Sequence, residues 1–192
     1  MTDAFSLSSP GPVADQAALR RRIGWMCHLI RLAAAVYAVW ILFQVVTHWT
    51  NPASVARGYG AWLKTDLSGM MPWQLMAGFA VHLGIWCFAA AACYSVWKLF
   101  SGYLAGRIFT LDATLWLRRI GLFGLAAEGL DLLTRPLTAI IVSAHLPEGF
   151  RTVAFFGNPM DLLIVLFLGG FIALAEIFRA AAEIAADHEQ IV

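Results

Sequence analysis

The chain has 192 residues, of which 60% are hydrophobic and only 13% charged, with 8 Trp and 13 Phe. This is too apolar for a soluble domain, so the composition predicts an integral membrane protein with the lipid bilayer as its first partner. A formal net charge of +1 without long runs of like charge excludes a nucleic-acid partner, and Cys27, Cys87 and Cys93 lie in or at the ends of apolar segments, where they read as packing residues rather than a disulfide framework or metal ligands.

Residues 1–19, rich in Ser, Pro and Ala and without periodicity, read as a mobile N-terminal tail, and residues 20–192 as one transmembrane domain. The first span covers about residues 23–47, interrupted only by Arg31, which is near enough to one end to snorkel out. An arginine-rich start and Ser54-Val55-Ala56 imitate a signal peptide and its cleavage site. The apolar region, at about 24 residues, exceeds the roughly 7–15 of a signal peptide, so the span is read as retained. Gly58-Tyr59-Gly60 is a turn signal, and the second span, about residues 72–97, opens with Pro72 in its first turn. The third span runs over about residues 120–143 and the fourth over about 161–178. No connection is long enough for a soluble domain, and the alternating strands of a β-barrel are absent. The expected fold is an all-α integral membrane four-helix bundle, packed through small residues such as Ala34 and Ala38, or Gly121 and Gly124.

Cations set the expected orientation. Arg20, Arg21, Arg22, Arg31, Lys98, Arg107, Arg118, Arg119 and Arg179 fall on one side, and only Arg57, Lys64 and Arg151 on the other, which places both termini in the cytoplasm. Trp49, Tyr59, Trp62 and Trp73 cluster around the outer connection, where amphipathic rings favour the interface.

Between spans two and three, Gly106-Arg107-Ile108-Phe109-Thr110 leads into Leu111-Asp112-Ala113-Thr114-Leu115-Trp116-Leu117-Arg118-Arg119-Ile120-Gly121. Thr110 is expected to cap a helix that begins in the interface and continues into span three. This Gly-hydrophobic-Phe-Thr approach, the Leu-Arg-Arg-Ile-Gly entry and the closing Ala173-Leu174-Ala175-Glu176-Ile177-Phe178-Arg179 before an acidic tail resemble the YoaS-like family, small bacterial four-helix membrane proteins that form a domain of unknown function. The resemblance covers about residues 20–192, departing at the tail, which ends His188-Glu189-Gln190-Ile191-Val192. It implies four helices in the bacterial cytoplasmic (inner) membrane and carries over no catalytic residue.

Glu128, Asp131 and Arg135, spaced by three and four, share one face of the third span. Ionisable groups in hydrocarbon are expensive, so this face must meet protein or water. Two readings stay open: structural pairing, with Arg135 on Asp131 and Glu128 on a donor from another helix, or a site holding one exchangeable proton. His82 is the histidine nearest their depth and is expected beside Asp131 or Arg135 in one buried polar network. Pro136 is expected to free a carbonyl and kink the span. His28 and His82 lie too far apart in depth to share one haem iron, while His48 and His145 both fall near outer ends, a candidate soft-metal site with Met70, Met71 and Met160 on the same side. Arg118 and Arg119, with Glu176, Arg179 and Glu183, form a charged cytoplasmic end that either solvates the helices or docks a partner. HExxH, CxxC, GxSxG, Walker and dinucleotide-type glycine motifs are absent, so no catalytic residue, cofactor or assigned metal is expected. The preferred reading is a non-enzymatic sensor, regulator or accessory component acting through a membrane or cytoplasmic protein partner or a homo-oligomer. The alternative is a small proton-, metal- or redox-coupled carrier.

Overall fold

The computed structural model describes residues 12–108, 110–147 and 157–189, with side chains described for 24–108, 110–147, 157–181 and 183. Residues 1–11, Phe109 and Arg151, and the side chains of Arg20, Arg21, Arg22 and His188, lie outside that set. Among the described residues the chain is all-helical: α1 Pro12–Trp49, α2 Pro52–Leu63, α3 Pro72–Leu104, α4 Leu111–Ser143 and α5 Pro159–Glu189. Gly24–Trp49 in α1, all of α3, and Pro159–Ala181 in α5 are long and apolar enough to cross a membrane. Helix α4 is as long as α3, at 33 residues, but it carries Glu128, Asp131 and Arg135, so it is not apolar enough to join them.

Two boundaries differ from the sequence reading. Helix α1 begins at Pro12, so residues 12–19 are helical rather than tail; Pro suits a first turn, and Ala14, Ala17 and Ala18 are strong helix formers. Gly58-Tyr59-Gly60 is not a turn but lies inside α2. The Asn51 side chain accepts from the Ser54 amide at 3.2 Å and Pro52 fixes the first turn, while Val55, Tyr59 and Leu63 pack one face into the core. That burial offsets the backbone freedom of two glycines, and the helix stops only at Lys64, in the left-handed region.

The four long helices form an antiparallel row: α1 packs on α3, α3 on α4, and α4 on α5, with no comparable packing between α1 and α5 among the described residues. Each seam has a specific device. The Trp49 ring lies where a Cβ on Gly78 would sit, so only glycine admits it, and Trp86 Nε1 donates to the Ala38 carbonyl at 2.9 Å. Gly121 and Gly124 let α5 approach so closely that added Cβ atoms would meet Ile172 and Leu168 at 2.5 Å. The Thr110 hydroxyl accepts from the Ala113 amide at 3.3 Å and caps α4, which then runs unbroken through Pro136.

Two buried clusters close the ends of the row. One joins Trp49, Val55, Leu63, Leu67, Ala139 and Val142; the other joins Leu99, Ala113, Leu117, Ile120 and Ala175. The outer flanks of α1 and α5 leave large apolar side chains uncovered, Val39 at 68% and Leu166 at 63% exposure among them. In water such faces would be a liability; against acyl chains they cost nothing.

Candidate functional site

The end of the row where α1 and α4 finish and α3 and α5 begin is the more polar one. Gln74, wholly buried, staples two helix termini there. Its Oε1 accepts from the Met71 amide at 2.7 Å, closing the first turn of α3, while Nε2 donates to the Ile141 carbonyl at 2.6 Å. The same nitrogen lies 3.3 Å from the Val142 carbonyl and 3.2 Å from His145 Nδ1. One amide thus serves an orphan donor on α3 and orphan acceptors on α4.

Eight residues before the end of α4, Arg135 is held on both sides. Nε donates to Asp131 Oδ2 at 2.9 Å, with Nη2 2.8 Å from the same oxygen. Across the seam, Nη1 and Nη2 donate to the two carboxylate oxygens of Asp161 at 2.6 and 3.0 Å. Asp161 sits in the first turn of α5, where its Oδ2 accepts from the Asn158 amide at 2.8 Å and Asn158 Oδ1 accepts from the Met160 amide at 3.0 Å, a reciprocal cap. The Arg135 layer is therefore level with the start of α5 rather than deep within it, which explains how three formal charges are tolerated.

Beside this clamp is a cavity of about 510 Å³ bounded by α1 to α4 and the approach to α5; its lining includes His48, Gly58, Tyr59, Trp62, His82, Asp131, Thr134, Arg135, Thr138 and Asn158. His82 Nδ1 is 2.9 Å from the Gly78 carbonyl, which can only accept, so Nδ1 carries the proton and Nε2 accepts from the Tyr59 hydroxyl at 3.3 Å. Burial, reinforced by the negative charge of Asp131, pushes the Tyr59 phenol up to about 12. The Thr134 hydroxyl donates to the Leu130 carbonyl at 2.7 Å. Thr138, only 1% exposed, has a hydroxyl with no hydrogen-bond partner among the described residues.

The residues singled out from sequence are distributed as follows. Asp131, Arg135 and His82 share the cavity, but the hydrogen bonds of His82 go to Tyr59 and Gly78 rather than to the charged pair. Among the described residues Glu128 does not find the donor expected on another helix: its Oε1 is buried without a partner there, about two turns below Arg135. His48 Nδ1 pairs with the Ser54 hydroxyl at 3.2 Å while His145 Nδ1 lies 3.2 Å from Gln74 Nε2, so each ring has a protein partner of its own. Among the described residues no three His, Cys, Asp or Glu side chains converge as metal ligands.

At the opposite end the charged side chains are cross-braced: Arg118 pairs with Glu176 at 3.7 Å between α4 and α5, and Arg179 with Glu183 at 2.9 Å within α5. The Arg119 guanidinium lies 4.5 Å from the Trp116 ring centre and that of Arg31 lies 4.1 Å from Trp97. Both stack on indoles, and Arg31 does so instead of reaching outward.

Asp161, Gln74 and Thr138 were not singled out from sequence, and Tyr59 and Trp62 were read only as interfacial aromatics, not as site residues. For Asp161 a signal existed, since Asn158-Pro159-Met160-Asp161 is a helix-start pattern that also places a carboxylate at the rim of the fourth span. Compared with models of known families, with curated proteins and with solved structures, the chain matches none.

Proposed function

We propose that this chain is a non-enzymatic, multi-pass protein of the bacterial inner membrane, a sensor or accessory component that receives a small polar ligand in the cavity beside Arg135. In this reading α4 crosses the bilayer together with α1, α3 and α5, both termini are cytoplasmic, and the cavity opens to the outer face. The braced charged end, with Arg118, Arg119, Glu176, Arg179 and Glu183, passes occupancy to a protein partner or a second copy. The YoaS-like resemblance belongs to the same proposal and adds the four-span topology.

The observation that carries the reading is the Thr138 hydroxyl, buried, without a hydrogen-bond partner among the described residues, and on the wall of a 510 Å³ cavity that also presents Asp131, Tyr59 and Trp62. Buried polar groups are rarely left without a partner, so a ligand or water completes this one. A cavity of a few hundred cubic ångströms with few convergent polar groups has the dimensions of a small-molecule site. The carrier reading rests on a different atom, Glu128 Oε1, whose missing partner is what a proton-exchanging carboxyl would show.

Thermal unfolding of the full chain in a non-ionic detergent, against a panel of small cations, anions and neutral amides, tests the ligand reading. A compound that raises Tm in the parent but not in Thr138→Val supports it. No shift from any of the three classes refutes it.

A further inference from the structure

The cavity's fixed groups also specify what kind of ligand it takes, provided that it is a ligand site at all. We infer that it selects a small organic monocation, an ammonium bearing alkyl or aryl groups, held between the Asp131 carboxylate and the rings of Tyr59 and Trp62.

Charge comes first. Among the described residues Arg135 is the only Lys or Arg on the wall, and both faces of its guanidinium fork are occupied, by Asp131 through Nε and Nη2 and by Asp161 through Nη1 and Nη2. An anion would have to displace a carboxylate already bonded there. Among the described residues of this clamp, one guanidinium against two carboxylates leaves a formal charge of −1. The excess faces the cavity through Asp131, whose side chain is 37% exposed against 13% for Asp161.

Hydrogen-bond polarity agrees. The donors of Tyr59, His82 and Thr134 are committed, to His82 Nε2, the Gly78 carbonyl and the Leu130 carbonyl respectively. What remains on the described wall is the Asp131 carboxylate, the ring surfaces and the Thr138 hydroxyl, which can donate or accept, so the charge and the rings carry the selection of a cation. The Tyr59 and Trp62 rings stand 6.0 Å apart at 72° to each other, and His48 lies 6.0 Å from Tyr59, so rings from α2 and α1 line the same cavity as the Asp131 carboxylate. Aromatic faces beside a single carboxylate attract a poorly hydrated cation more than a metal ion, which needs several oxygen ligands.

The same chemistry is offered by a free ammonium compound and by an ammonium lipid headgroup, and the experiment separates them. The full chain is placed in nanodiscs of phosphatidylglycerol at pH 8, where histidines of ordinary pKa are neutral. It is titrated by calorimetry with benzyltrimethylammonium and, separately, with benzoate. The inference expects saturable binding of the cation, no binding of benzoate, and at least a tenfold loss of cation affinity in Asp131→Asn. Repeating the titration in phosphatidylethanolamine nanodiscs gives the source: affinity that falls severalfold marks the headgroup as natural occupant, unchanged affinity a free compound. Benzoate binding in place of the cation, or unaltered cation affinity in a folded Asp131→Asn chain, overturns the inference while the ligand-site reading stands. The choice between the two probes is read on the parent chain and needs no variant. If neither probe binds but a neutral amide does, the inference falls alone; if no class of compound binds, both fall.

Discussion

Replacing Gln74 by Leu keeps the volume of a wholly buried side chain but removes all of its polar contacts, so the energetic consequence can be worked from the geometry. Three are within ordinary hydrogen-bond reach at 2.6, 2.7 and 3.2 Å, and the Val142 carbonyl lies at 3.3 Å. The Met71 residue is exposed, so its amide recovers water, and the Ile141 carbonyl still accepts from the Ala144 amide. The Val142 carbonyl is the group left dry, and an unsatisfied buried acceptor costs about 1–3 kcal/mol. Adding about 1 kcal/mol for each of two net bonds lost, and subtracting about 1 kcal/mol for the better transfer of Leu, gives about 2–4 kcal/mol of destabilisation. Unfolding of the parent and Gln74→Leu chains in mixed micelles of increasing SDS fraction measures it, and Gln74→Glu, which keeps the acceptor for the Met71 amide, tests which half of the staple dominates. A Gln74→Leu chain within 0.5 kcal/mol of the parent, about the scatter of surface substitutions, would show that the two helix ends are not joined through this amide.

The remaining predictions concern the clamp, the cap and the phenol. Arg135→Leu strands Asp131 and Asp161 and is expected to be far more damaging than Glu128→Gln, which supplies a neutral group where no partner exists; equal stability losses in the same micelle assay would contradict the pairing of Arg135 with both carboxylates. Thr110→Ala removes the acceptor for the Ala113 amide and should cost about 1 kcal/mol, and an unchanged unfolding midpoint would count against the cap. Because the Tyr59 phenol is held near 12 against an ordinary 10.0, the folded chain keeps that proton longer than the unfolded chain. Its contribution to stability is thus whole below pH 10 and is lost as the pH rises through about 12. The tyrosinate absorbance missing from Tyr59→Phe should therefore develop late in an alkaline titration, and a difference curve centred near 10 would be inconsistent with burial beside Asp131.

Much of the scaffold was readable because it rests on local pattern. Three of the runs read as spans became α1, α3 and α5, each long and apolar enough to cross a membrane, and the third run became the helix α4; the Thr110 cap needed only its own next turn, and Arg135 with Asp131 is a one-turn pair. Contacts set by register between distant segments were not readable. Asp161 reaches Arg135 because the first turn of α5 lies level with a residue eight positions before the end of α4, a level fixed by Gly121 and Gly124 admitting Leu168 and Ile172. Gln74 looks like ordinary interfacial solvation until the end of α4 is placed against it. Helix α2 was hidden by Gly58 and Gly60, whose cost outweighs local propensity and is recovered only when Val55 and Leu63 are buried. Tyr59 and Trp62 reach the cavity through that helix, so missing it concealed the aromatic wall.

The central claim is that a polar cavity beside Arg135, walled by apolar helices, is open to the outer aqueous face. Thiol accessibility in intact cells tests it most directly, in a chain whose Cys27, Cys87 and Cys93 are replaced by Ala, using a membrane-impermeant cationic methanethiosulfonate. Thr134→Cys on the cavity wall and Gly58→Cys at its rim should both react from outside, while Val39→Cys, on the uncovered flank of α1, should stay silent. If Gly58→Cys reacts and Thr134→Cys does not, although it labels fully after denaturation, no open cavity reaches the charged layer; if both react only in permeabilised cells, the cavity faces the cytoplasm, and either result contradicts the account.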